Sequence, residues 1–129
     1  MAQITAVTLR RGPCFGSCPV YDVTLRRRGR STWNGEMFTE RIGRYRGDLD
    51  RDEFDRLAEF IERSGFFDWK DEYDPVGSTV SDGSTDVLEV RRSGKTKTVS
   101  QYSTDEPPDF WVIAKLVEAL AGRINWTAD

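Results

Sequence analysis

Residues 50–65 read DRDEFDRLAEFIERSG, and how this stretch is read decides the fold class. Asp50 followed three positions on by Glu53 matches the start of a helix closed by a capping box. Phe54, Leu57, Ala58 and Ile61 then keep the i, i+3, i+4, i+7 spacing of one apolar helix face. Ser64-Gly65 ends the run, with Gly65 suited to the left-handed position just past a helix. Everything upstream of this helix keeps a period of two instead.

Thr5, Val7 and Leu9 alternate with Ile4, Ala6 and Thr8 over residues 3–10, which predicts a first strand. Tyr21, Val23 and Leu25 alternate with Asp22, Thr24 and Arg26, predicting a half-buried second strand with Tyr21 on its core face. Arg28-Gly29-Arg30 turns the chain, residues 31–35 around Trp33 make a third strand, and residues 40–47, with Ile42 and Tyr45, a fourth. The connections are too short for parallel crossovers, so these strands form an antiparallel meander.

Downstream of the helix, Phe66, Phe67 and Trp69 are expected to fold back under the sheet. Residues 70–84, KDEYDPVGSTVSDGS, are expected to form an exposed, turn-rich loop. Asp86–Arg92 and Thr96–Tyr102 flank Ser93-Gly94 as a second hairpin. Pro107 and Pro108 suit the first turn of a closing helix, with Ile113, Leu116, Val117 and Leu120 as its buried stripe and Gly122 as its stop. The predicted class is α+β: a single antiparallel sheet in the order ββββαββα, with two helices packed on one face.

A chain of 129 residues fits one domain, so residues 1–129 are expected to form a single α+β domain. Aromatic residues at 12% favour a packed core over a disordered chain. The net charge of −3 is unevenly spread: residues 1–47 carry +6, residues 48–74 carry −7, and the rest −2. Domains that bind nucleic acid are usually basic overall, so an arginine-rich strand face beside an acidic helix is the preferred reading. No apolar run approaches the roughly 18 residues of a membrane span. The N-terminus, MAQITAVTLRR, alternates rather than resembling a signal peptide, so a cytoplasmic location without membrane contact is expected.

Residues 13–21, PCFGSCPVY, hold the chain's only cysteines, Cys14 and Cys18, and the chain has no histidine. The lack of histidine removes the commonest general base, triad partner and metal ligand. Two cysteines cannot complete a tetrahedral zinc site alone, so neither a metal nor another cofactor is expected. Three readings of the pair stand. A disulfide is sterically allowed for residues four apart in a turn. Two packed, reduced thiols would serve as small apolar groups. A redox pair would require a setting that stabilises a thiolate, and although Arg10 and Arg11 are near, no helix begins here. The structural readings are preferred. Phe15-Gly16 reads as a turn with one aromatic anchor, braced by Pro13 and Pro19.

The segment CFGSCPVYDVTL, the later W-N-G, FIERSGFFDW followed by DEY, and VRRSGKTKTV together resemble a bacterial family, domain of unknown function 6438. The resemblance covers roughly residues 4–126, and its most specific part is C-F-G-x-C-P-x-Y at Cys14–Tyr21. It implies a fold unit without an assigned chemistry, found in many exported or lipid-anchored proteins. It also implies an Asp-x-Pro-like segment before the fifth strand, where this chain has Ser81-Asp82-Gly83-Ser84.

The remaining candidates are surface groups. Arg26, Arg28, Arg30 and Arg44 surround the hairpin carrying Trp33, and a basic sheet with an exposed aromatic can bind single-stranded nucleic acid by stacking. The ordinary reading pairs such arginines with Asp52, Asp55, Glu59 and Glu62 of the first helix. Asp68, Asp71, Glu72, Asp74, Asp82 and Asp86 could hold a carboxylate pair, but no spacing selects one. The sequence therefore favours a non-enzymatic binding or accessory module for a protein or small-molecule ligand. The alternatives are a thiol redox or sensing protein using Cys14 and Cys18, and a weak nucleic-acid binder through the arginine hairpin.

Overall fold

The computed structural model describes residues 3–14, 16–73, 85–101 and 107–129. Four strands come first, β1 (Ile4–Arg11), β2 (Val20–Arg26), β3 (Ser31–Met37) and β4 (Gly43–Gly47), and helix α1 (Arg51–Arg63) follows. Asp50 caps α1 as its position demands, its carboxylate accepting from the amides of Asp52 and Glu53. Gly65, at φ 77°, leads into a 3-10 turn over Phe66–Asp68. Strands β5 (Glu72–Tyr73), β6 (Asp86–Arg92) and β7 (Lys95–Gln101) precede helix α2 (Pro108–Ala121), and β8 (Thr127–Ala128) closes the described chain.

All eight strands join one sheet in the order β5-β7-β6-β1-β2-β3-β4-β8. The α+β class stands, but the sheet is mixed rather than purely antiparallel. Strand β5 lies parallel to β7, pairing Glu72 with Ser100 and Tyr73 with Gln101. The cause is local: the Ser100 amide donates to the Asp71 carbonyl at 2.8 Å. Lys97 Nζ reaches the Trp69 carbonyl at 2.5 Å and the Asp71 carboxylate at 2.7 Å. These bonds draw the chain onto the β7 edge just where an exposed loop was expected. At the other edge β8 adds a two-residue pairing to β4, so the order expected from sequence lacks both edge strands. Asp74, Asp82, Tyr102 and the segment Ser81–Ser84 lie outside the described residues, as does Phe15.

Sheet alternation sets the core. Val7, Leu9, Val23, Leu25, Leu88, Val90 and Val99 are all fully buried, and they meet Phe54 and Ile61 of α1 and Phe110, Ile113 and Val117 of α2 in one cluster. Phe66 is also fully buried, as the expected fold-back requires. The stripe of α2 differs from the expected one. Phe110, Ile113, Ala114, Val117 and Ala121 face the sheet, while Leu116 is exposed and Leu120 only half-buried. The helix is apolar nearly all round, so periodicity alone could not phase it. In the same way Ile42, expected in the fourth strand, sits 56% exposed in the loop before β4.

Among the described residues the opposite sheet face is polar and carries no helix. Thr8, Thr24 and Thr32 pair across β1, β2 and β3, and Arg10, Asp22, Asn34 and Arg44 form the next row. Thr8 and Thr24 join their hydroxyls at 2.8 Å. An antiparallel sheet with one packed and one wet face is the ordinary arrangement.

Candidate functional site

Three strands bring polar groups into the apolar face at one end of the sheet. Arg11 follows Val7 and Leu9 in phase on β1, and Asp86 precedes Leu88 and Val90 in phase on β6, so both face α2. They pair across the strands, with Arg11 Nε 3.5 Å from an Asp86 carboxylate oxygen that is almost fully buried. Gln101 Nε2 donates to the other Asp86 oxygen at 3.3 Å. Arg11 Nη1 also donates to Glu118 of α2 at 3.2 Å, and Tyr21 donates its hydroxyl to the same Glu118 oxygen. Lys115 Nζ lies 3.4 Å from the second Glu118 oxygen. A charged network thus ties β1, β2, β6 and β7 to one helix.

The network holds Tyr21 neutral and Glu118 and Arg11 charged. Burial, and then the contact with Glu118, push the Tyr21 hydroxyl far above the usual phenol range. Burial alone would raise the Glu118 carboxyl, but the Tyr21 hydroxyl, Arg11 and Lys115 override it and hold the group below the usual carboxylate range. Burial works against the Arg11 charge, and Asp86 and Glu118 outweigh it, so the guanidinium is held still more firmly protonated.

Tyr21 stacks on Trp33 with centroids 4.5 Å apart and planes at 15°. Trp33 also meets Trp126 at 6.0 Å, donates Nε1–H to the Arg41 carbonyl at 3.0 Å, and lies 5.8 Å under the Arg41 guanidinium. This last pair pins the β3–β4 loop. The loop passes so close to β3 that a Cβ on Gly35 would overlap the Arg41 carbonyl oxygen. Between the loop, Pro19 and the C-terminal end of α2 opens a cleft of about 330 Å³. Tyr21, Trp33 and Glu118 lie along it, and Phe38, Glu40 and Arg41 edge it. Phe38 is 56% exposed and holds a positive φ of 56°, uncommon for a residue with a side chain.

Pro19 connects the cleft to the cysteine loop. Cys14 and Cys18 form a disulfide across a Cα separation of 5.8 Å, and both are half-buried. The Gly12 amide donates to the Thr85 carbonyl at 3.0 Å, fixing the loop's first leg to the start of β6. A five-residue ring constrains the unfolded chain only modestly, so Cys14→Ser with Cys18→Ser is expected to lower stability by about 2 kcal/mol or less. Urea denaturation with and without reductant measures this. Loss of all folding on reduction would mean that the staple carries far more than its ring size allows.

The arginines singled out in the sequence are not gathered around an exposed ring. Arg26 and Arg44 belong to the open face, Arg26 bonding the Arg30 carbonyl at 2.9 Å and Thr32 Oγ1 at 3.2 Å. Arg44 borders a shallow polar depression of about 310 Å³ with Arg10, Asp22 and Thr24. Arg28 and Arg30 are exposed in the β2–β3 turn. Trp33, which the stacking alternative needs exposed, is 7% exposed and faces the helices, because β3 alternation puts it beside Tyr21. From the sheet side the acids of α1 are met by Arg27, which pairs with Asp55 at 2.9 Å, and by Arg92 of β6, which pairs with Glu62. Among the described residues no group of three or more Cys, Asp or Glu is placed to hold a metal ion, and no helix is long and apolar enough to cross a membrane.

The acid–base network has a sign that can be worked out. Glu118 titrates lower in the fold than unfolded, so its stabilisation is present above the ordinary carboxylate pKa and is lost as pH falls through the folded value. Tyr21 titrates higher in the fold, so its stabilisation is full below about pH 10 and fades as pH rises above that. Glu118→Gln is expected to flatten the acid limb of a stability–pH profile, and Tyr21→Phe the alkaline limb. A profile unchanged by both would remove the network from the stability of the fold.

Fold and site together define an α+β protein with one wet sheet face and an aromatic-walled cleft beside a disulfide-braced loop. The chain belongs to the family described as Domain of unknown function (DUF6438), whose model matches residues 5–121. That span includes the cysteine loop, both helices and every residue of the charged network. No curated protein matches the chain.

Proposed function

We propose that residues 1–129 act as one α+β domain and that it is a non-enzymatic binding module. Its ligand, a small molecule or a side chain of a protein partner, enters the cleft between the β3–β4 loop and the end of α2. The observation that carries this reading is the cleft itself: about 330 Å³, at the lower end of the range of ligand pockets, with stacked Tyr21 and Trp33 along an apolar side and Glu118 as a fixed acceptor. The non-enzymatic part rests on acid–base chemistry. A general acid or base works best with a pKa near the operating pH, and here Tyr21 is pushed up while Glu118 is pushed down.

Gly122 lines the cleft at an ordinary helical φ of −65°, and an added Cβ meets only normal contacts at 3.4 Å or more. Gly122→Trp therefore fills the cleft without backbone strain. A panel of aromatic amines and aromatic carboxylic acids, followed by saturation-transfer NMR, supplies the test. Binding is expected to the unmodified chain and to Arg44→Glu, and to disappear in Gly122→Trp. Binding that survives Gly122→Trp and vanishes in Arg44→Glu would move the site to the open face and favour the nucleic-acid reading.

The redox reading has one supporting observation, the half-buried disulfide next to the cleft. It would make the cystine a reporter of the compartment. A lasting cystine favours an oxidising compartment, whereas the alternating N-terminus led to a cytoplasmic expectation. Alkylation of thiols in intact cells, before lysis, separates the two: a cytoplasmic chain would carry two labelled cysteines.

A further inference from the structure

Helix α2 has a second apolar face that the sheet does not use. Leu116, 36% exposed, and Ala119 run along the groove between α1 and α2, and Val112, 41% exposed, stands one turn before Leu116 on the same helix. Leu57 and Leu120 form the groove floor, about 240 Å³ in volume. Positions 109, 112, 116 and 119 of α2 alternate spacings of three and four, which is the seam of a helix that packs against another helix, and Arg123 follows in the turn just past the helix end. A contiguous apolar strip of this kind marks an interaction surface more often than a scattered exposed leucine does.

The charges along that seam select the occupant. Asp109 stands seven residues before Leu116 and Arg123 seven after it. Two antiparallel copies of α2 crossing at Leu116 would set Asp109 of each against Arg123 of the other. Val112 of each would then meet Leu120 of the other, filling both grooves. The rim agrees. Arg56 and Arg123 flank the groove with Glu53, which bonds Arg123, so one positive charge is left over on each rim. Asp109 has no ion pair among the described residues and would supply the missing negative charge. A two-fold axis makes every such contact twice, as a self-complementary interface requires.

We propose that this face of α2 is a homodimer interface, the occupant being α2 of a second copy of the chain in antiparallel register about Leu116. The cleft at Tyr21 and Glu118 lies on the far side of α2 and stays open in such a dimer.

Sedimentation velocity over a range of concentrations tests the proposal with two single variants. Asp109→Arg and Arg123→Asp would each place like charges together twice in their own dimers. Each alone is expected to raise the dimer dissociation constant roughly tenfold or more. Mixed in equal amounts they restore both opposite-charge contacts, and the mixture is expected to dimerise where the separate variants do not. That recovery also shows that both variants are folded. Leu116→Glu is expected to remain monomeric in every mixture. A monomeric parent chain at all concentrations, or a dimer that neither variant weakens, or separate variants that fail to recover on mixing, would each overturn the proposal.

Discussion

Replacing Arg11 by methionine is expected to cost about 3–5 kcal/mol of folding stability, the usual penalty for removing one partner of a buried ion pair. The reason is Asp86, only 1% exposed, which would lose the guanidinium 3.5 Å away. Glu118 would lose the guanidinium at 3.2 Å as well. The cost should fall when both charges go: Arg11→Met with Asp86→Leu removes both ends of the buried pair, and apolar replacements of such pairs are often close to neutral. Gln101 then loses its acceptor, so some penalty stays. Urea midpoints of the single and double variants decide the point. A double variant as unstable as the sum of its singles would mean that the network is not a coupled unit.

Gly35→Ala is the second large effect. The β3–β4 loop crosses over β3 at Gly35, and a methyl group there would overlap the Arg41 carbonyl oxygen, a backbone atom that cannot swing aside. Trp33 Nε1 uses that same carbonyl, so moving the loop also unties the ring from its hydrogen bond. Thr39 Cγ2 and Trp33 Nε1 lie 2.9 Å from the same hypothetical methyl and leave no side route. A loss of about 3 kcal/mol or more is expected, within the range of overpacked core positions. The cleft should widen with it, since Phe38, Glu40 and Arg41 all ride on the displaced loop. Full stability in Gly35→Ala would show that the crossing is looser than the backbone geometry describes.

The sequence reached the frame of this fold because its signals were local. The Asp50 cap, the Phe54–Ile61 spacing, Gly65 and the Ser93-Gly94 turn each act within a few residues, and the structure reproduces each one. What it missed depends on distant partners. Strand β5 exists because Lys97 and Ser100 hold residues 69–71 from across the chain, a contact no nearby residue announces. The same holds for the site. Tyr21 was placed on the core face by alternation, and it is buried there at 4% exposure. Its partner Glu118 is 97 residues away. One signal was available: Arg11 falls in step with Val7 and Leu9, and Asp86 with Leu88 and Val90, so period two alone puts opposite charges into the apolar face. The stacking alternative at Trp33 turns on the same kind of distant pairing. Arginine density nearby suggested an exposed ring, whereas pairing with Val23 turns it toward the helices.

Mapping amide and indole shifts in a 1H–15N NMR titration with an aromatic amine tests the binding reading most directly. The cleft site requires shifts at Tyr21, the Trp33 indole, Arg41 and Gly122, with Thr8, Thr24 and Arg44 unmoved. Shifts confined to the open face around Thr24 and Arg44 would contradict it.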